Sequence, residues 1–115
     1  MFDFLTEAQC ERLRAQGLAS RIDEGFDPLP VVKLFTPDAG ATWLLSELDP
    51  LDEDRAYGLC DAGLGCPELG WVRLTELARV RGFMGRAIVQ DARFVPVQRL
   101  SAYAREARLA GRIQA

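Results

Sequence analysis

Residues Pro30 to Leu48 read PVVKLFTPDAGATWLLSEL, residues Ala56 to Leu74 read AYGLCDAGLGCPELGWVRL, and TELARVRGFMG follows from Thr75 to Gly85. This stretch decides the fold class. Val31 to Phe35 is rich in β-branched and aromatic residues and predicts a strand. Thr36-Pro37-Asp38-Ala39-Gly40 reads as a turn, because proline presets φ, aspartate bonds backbone amides and glycine accepts a positive φ. Thr42 to Leu48 returns as a second strand, antiparallel to the first, since so short a connection cannot make a parallel crossover. Asp49 to Arg55 reads as an acidic loop, and Ala56 to Ala62 and Glu68 to Leu74 predict a third and a fourth strand across a glycine-rich turn that ends at Pro67. Strands at this close spacing predict a meander.

Working outward, Thr75 is placed to cap a short helix from Glu76 to Arg81, which Gly82 stops. A loop with Gly85 leads to Ile88-Val89, and Ala92 to Val95 reads as a last short strand ended by Pro96. From about Val97 to Ala110 a helical period puts Leu100, Tyr103, Ala104, Ala107 and Ala110 on one face, with Arg105, Arg108 and Arg112 in a separate stripe. Towards the N-terminus, Thr6 and Gln9 form a capping box, Leu5 staples onto Cys10, and Gly17 ends the helix. The stripe of Cys10 and Leu13 is thin and predicts a helix against the sheet edge. Residues Ser20 to Pro30 form a turn-rich connector without a period. The expected fold is α+β: a small antiparallel sheet of four or five short strands, an N-terminal helix, a short helix after the sheet and a C-terminal helix. One domain spans residues 1–115.

The composition excludes more than it identifies. With 115 residues, 49% hydrophobic and 27% charged, the chain is an ordinary globular protein able to bury a core. No apolar run reaches the length of a bilayer span, and MFDFLTEAQC lacks the basic and apolar regions of a signal peptide, so a cytoplasmic protein with no membrane partner is expected. Histidine is absent, which removes His-based acid–base chemistry, Ser-His and Cys-His nucleophiles and most catalytic zinc sites. Cys10, Cys60 and Cys66 match no metal spacing and read as small apolar side chains, although Cys60 and Cys66 flank a turn that could bring them together. No cofactor is implied, because the glycines form neither GxxxxGK[ST] nor GxGxxG.

Charge is divided unevenly. Residues 1–76 hold 15 acids against 6 basic residues, a net of −9, whereas residues 77–115 hold 8 arginines against Asp91 and Glu106, a net of +6. Either the two ends pair across the fold, or an arginine face is offered to an anion. Arg79, Arg81, Arg86, Arg105, Arg108 and Arg112 are the candidate residues for an anionic partner, with Arg93 and Arg99 between them. Thr36, Asp38, Thr42 and Trp43 bracket one tight turn and are either a ligand site or hairpin closure. Asp38, Glu47, Asp61 and Glu68 lie on or beside the sheet and could hold Mg²⁺, but their spacing matches no metal motif.

One resemblance covers most of the chain. FTPD at Phe35–Asp38, Thr42-Trp43, Glu47, Gly58-Leu59, PELG at Pro67–Gly70, L-x-EL at Leu74–Leu77, VRG at Val80–Gly82, Gly85, and then Ile88, Asp91, Phe94 and Pro96 occur in linked order. This pattern resembles the bacterial family filed as domain of unknown function 2958. The resemblance implies a small protein encoded on plasmids and other mobile elements, and it implies no catalytic residue. It spans about residues 5–96, leaving about 97–115 as a helical extension; the segment with Cys60 and Cys66 departs from it.

The functional expectation is a non-catalytic accessory protein of a mobile element that binds a protein or nucleic acid through its arginine-rich C-terminal third. An acidic decoy is the alternative, in which Asp49, Asp52, Glu53 and Asp54 imitate nucleic acid and occupy a DNA-binding protein. A carboxylate-metal nuclease is a third reading, weakened by the missing histidines.

Overall fold

The computed structural model describes residues 2–115. The elements run α1 (Glu7–Ile22), β1 (Val32–Phe35), β2 (Thr42–Asp49), β3 (Asp52–Asp61), β4 (Glu68–Arg73), α2 (Leu74–Leu77), β5 (Val89–Gln90) and α3 (Leu100–Ala110). The strands form one sheet in the order β4-β3-β2-β1-β5, antiparallel throughout. The first four make the meander expected from the turns, and β5 returns to the free edge of β1. Among the described residues no helix is long and apolar enough to cross a membrane.

Alternation along the strands gives the sheet two buried faces. Leu34, Trp43, Leu45, Leu48 and Ala56 pack with Leu13 of α1 and with Leu74 and Leu77 of α2 on one side. Leu44 and Leu59 pack under Leu100, Tyr103, Ala104 and Ala107 of α3 on the other. A fully buried leucine such as Leu44, Leu45 or Leu59 contributes roughly 2 kcal/mol by burial alone. Sandwiching the sheet between α1 and α3 is what lets strand β2 be buried along nearly its whole length. The period read for α3 holds for Leu100 to Ala107, while Ala110 runs past the sheet and is exposed.

Several local expectations need correction, and each has a tertiary cause. The Thr6–Gln9 capping box is present, but α1 does not end at Gly17; it continues to Ile22. Nor does α1 lie at the sheet edge. Gly17 is buried against the backbone of Leu48 on β2, where an added Cβ would stand 1.9 Å from the Leu48 carbonyl oxygen. Glycine is there for close approach rather than as a stop. The acidic run 49–55 is mostly strand: only a tight turn at Asp49–Asp52 separates β2 from β3. The short helix starts at Leu74, so Thr75 lies inside it, and its cap is borrowed. Asp54 of β3 accepts from Thr75 N at 3.0 Å and from Thr75 Oγ1 at 2.8 Å. Residues 92–95 are not a strand, because Val89–Gln90 already fills the β1 edge, and α3 begins at Leu100 rather than Val97.

Candidate functional site

The turn singled out in the sequence closes in an unexpected way. Thr36 is buried; its N–H donates to Ala41 O at 3.0 Å and its hydroxyl accepts from Ala41 N at 3.0 Å. Trp43 points into the α1-side core and is 8% exposed, so it offers no stacking face. Asp38 turns away from its own hairpin toward the loop after α2. Its Oδ2 accepts from Met84 N at 2.6 Å and from Arg86 N at 3.4 Å, while Oδ1 is buried without a partner among the described residues. Gly82 makes the approach possible, since a Cβ there would lie 1.5 Å from Asp38 Oδ1. The FTPD and VRG motifs are therefore two halves of one junction. Of the four turn residues, Thr36 and Thr42 border a cavity of about 640 Å³ shared with Lys33, Phe35, Asp61 and Arg112.

The carboxylates that could have formed a metal site are dispersed. Asp38 holds the 82–86 turn, Asp61 accepts from Gly63 N at 2.8 Å and Ile113 N at 3.0 Å, and Glu68 is exposed on β4. Glu47 is buried, 7% exposed, and burial pushes its carboxyl pKa above the ordinary glutamate value, partly opposed by a hydrogen bond from Ser20. Among the described residues no group of three or more Asp, Glu or Cys side chains could hold a metal ion. All three cysteines are free: Cys10 and Cys60 are half-buried and Cys66 is exposed, so only the first two fit the apolar reading. Burial pushes the Cys60 thiol up to about 11.

The acidic run is paired where it stands, its four carboxylates with three arginines. Asp49 pairs with Arg55 at 3.0 Å, Asp52 and Asp54 with Arg73 at 3.2 and 3.5 Å, and Glu53 with Arg14 at 2.8 Å. Arg55 also lies 4.6 Å over the ring of Trp71, whose neighbour across the strands is Tyr57 at 5.1 Å. Together with Lys33, paired to Asp91 at 3.5 Å, the basic residues of the sheet are committed to local acids.

The C-terminal arginines behave differently. Arg79, Arg81, Arg86, Arg93, Arg99, Arg105, Arg108 and Arg112 are all exposed, and among the described residues none lies in a salt bridge. Arg81 does donate to the carbonyls of Ala78 and Val80. They are not one patch. Arg79, Arg81 and Arg86 follow α2, which packs on the α1 side, whereas Arg105, Arg108 and Arg112 ride on or just past α3, which covers the opposite face. Of the α3 group, Arg108 acts on Tyr57: burial and Glu47 raise the Tyr57 hydroxyl pKa, and Arg108 opposes them. In the sequence Phe83 is one of only three aromatics near these arginines, with Phe94 and Tyr103, and such sparse interleaving supports base stacking weakly; the structure leaves Phe83 and Met84 93% and 83% exposed at the tip of the loop that Asp38 holds. Their place in a G-F-M-G turn between arginines was the available signal.

No curated protein and no solved structure matches the chain. A family model matches residues 4–114, taking in α3 beyond the Pro96 at which the quoted motifs stop. The chain belongs to the family described as protein of unknown function DUF2958.

Proposed function

We propose that this protein works by binding, without catalysis, an anionic partner (a protein or a nucleic acid) through the arginines of its C-terminal third. The observation that carries the reading is the contrast in partners. Four of the six basic residues before Leu77 (Arg14, Lys33, Arg55 and Arg73) are paired with a carboxylate within 3.5 Å and only Arg12 and Arg21 are not, while among the described residues none of the eight exposed arginines after Leu77 has such a partner. Solvated guanidiniums without a carboxylate partner keep their field for an outside anion. The acidic-decoy alternative draws less support, because the acids it would use are occupied by Arg14, Arg55, Arg73 and Thr75. An accessory role on a bacterial mobile element, which rests on the resemblance alone, and a cytoplasmic location, which rests on the composition, are part of the same proposal.

The test is binding of sonicated duplex DNA and heparin over a salt series, for the wild type and for R79E/R81E/R86E and R105E/R108E/R112E separately. The expected result is a salt-dependent affinity that at least one reversal abolishes, with a log–log slope near −0.9 per phosphate contact on duplex. An affinity insensitive to salt and unchanged by both reversals would count against the proposal.

A further inference from the structure

The segment Arg79–Arg86 carries a feature that folding does not require. Phe83 and Met84, 93% and 83% exposed, contribute almost no burial to the fold, yet the turn presenting them is held at many points. Gly82 N and Arg86 O bond at 3.0 Å, Gly85 N donates to Gly82 O at 3.0 Å, and Arg81 pairs with Ala87 across the antiparallel neck. From behind, the Asp38 carboxylate takes the N–H groups of Met84 and Arg86. The turn closes only because Gly82 leaves room for Asp38 and Gly85 adopts φ +78°. A ring displayed on so restrained a turn loses little freedom on engagement. Arg79, Arg81 and Arg86 flank it in sequence, exposed and, among the described residues, in no ion pair.

We propose that this tip contacts single-stranded nucleic acid: Phe83 stacks on an unpaired base while Arg79, Arg81 and Arg86 hold the adjoining phosphates. The proposal rests on the anionic-partner reading above and names the partner. An exposed aromatic ring is a sequence-tolerant stacking platform, and guanidinium forks match phosphate oxygens. A duplex suits the tip less well, because a side chain entering it must first unstack a base step, whereas a single strand offers its bases free. A lipid surface also suits it less well. One phenylalanine and one methionine bury less apolar surface than a single myristoyl chain, which by itself binds membranes only marginally.

The experiment is fluorescence anisotropy of a short labelled oligothymidylate titrated with the full chain. A duplex of equal length, heparin, and phosphatidylserine–phosphatidylcholine vesicles are run beside it. The single strand should bind more tightly than the duplex. Phe83→Ala should weaken oligothymidylate binding by about 5- to 150-fold, and Phe83→Trp should retain it. R79E/R81E/R86E should lose the binding, and stepwise neutralisation should lower the salt slope by roughly 0.7 per contact removed. Because Phe83 is exposed, these variants fold, which circular dichroism checks. If Phe83→Ala binds oligothymidylate like the wild type while the charge reversal abolishes heparin binding, the arginine reading stands and the tip proposal falls. Phe83-dependent binding to vesicles without binding to oligothymidylate overturns it in favour of lipid. Loss of neither heparin nor oligothymidylate binding in the reversal overturns both assignments for this arginine group.

Discussion

Replacing Gly17 by alanine sets helix propensity against packing, and the structure decides the sign. In a solvated helix interior the change stabilises by about 1 kcal/mol, because glycine loses more backbone entropy on folding. At this position the new Cβ would stand 1.9 Å from Leu48 O, 3.1 Å from Leu48 C and 3.5 Å from Pro50 Cδ. The obstruction is strand backbone, which cannot swing aside as a side-chain end would. An ordinary carbon–oxygen contact is about 3.3 Å, so α1 must retreat by roughly 1.4 Å. That retreat loosens fully buried Leu13 and the bond that the Gln16 side chain donates to Ser46 O. Overpacking of this kind costs about 1–3 kcal/mol, and partial exposure of Leu13 adds about 1 kcal/mol. After the propensity gain, the net expectation is a loss of about 2 kcal/mol, or roughly 6–10 °C in Tm at this chain length. Urea denaturation followed by tryptophan fluorescence, with calorimetry, measures it. Ala15→Gly on the exposed side of the same helix is the control and should cost about 1 kcal/mol by propensity alone. A Gly17→Ala protein as stable as the wild type, or more so, refutes the close-approach argument.

Other perturbations follow from the same contacts. Asp38→Ala removes the acceptor for two backbone amides, so it should cost about 2 kcal/mol and speed hydrogen exchange at Met84; protection left intact at that amide would show that the clamp is not what orders the turn. Glu47 has a folded pKa raised by burial, so the native state keeps a proton that the unfolded chain has released. Stability therefore falls as pH rises from the ordinary glutamate range through the folded value, and Glu47→Gln should flatten that fall; denaturation curves for the two proteins that stay parallel from about pH 4 to about pH 8 would contradict this. Cys60, held at about 11 by burial, should resist iodoacetamide at pH 8 until the protein unfolds while exposed Cys66 alkylates readily, and equal labelling of the two, read by mass spectrometry, would refute it.

How far the site could be read in advance depended on the range of the interactions involved. The uneven charge was visible in the order of the residues, and so were the arginines that matter to the proposed function. Their distribution over two faces was not, because it depends on α2 packing with α1 while α3 covers the other side. Whether they pair internally was equally hidden. Arg14 meets Glu53 and Arg73 meets Asp52 only after α1 and β4 have docked beside β3. Phe83 could be seen near the arginines but with few other aromatics beside it, and its display with Met84 at one tip depends on the Asp38 contact from far along the chain.

By itself the sequence determined the α+β class, the meander, the capping box at Thr6 and Gln9, and the buried face of α3 from Leu100 to Ala107. These follow from turn chemistry, capping and periodicity, which operate within a few residues and do not depend on what lies across the fold. The tertiary structure alone decided the rest. Gly17 serves as a point of closest approach, Asp38 serves the loop after α2 rather than its own turn, and Asp54 caps a helix from another strand. It also buries Trp43 while leaving Phe83 in solvent. A glycine, an aspartate or an aromatic ring has the same local propensity in either role. Only the neighbours brought from far along the chain distinguish a stop from a contact, a turn from a clamp, and a core side chain from a displayed one.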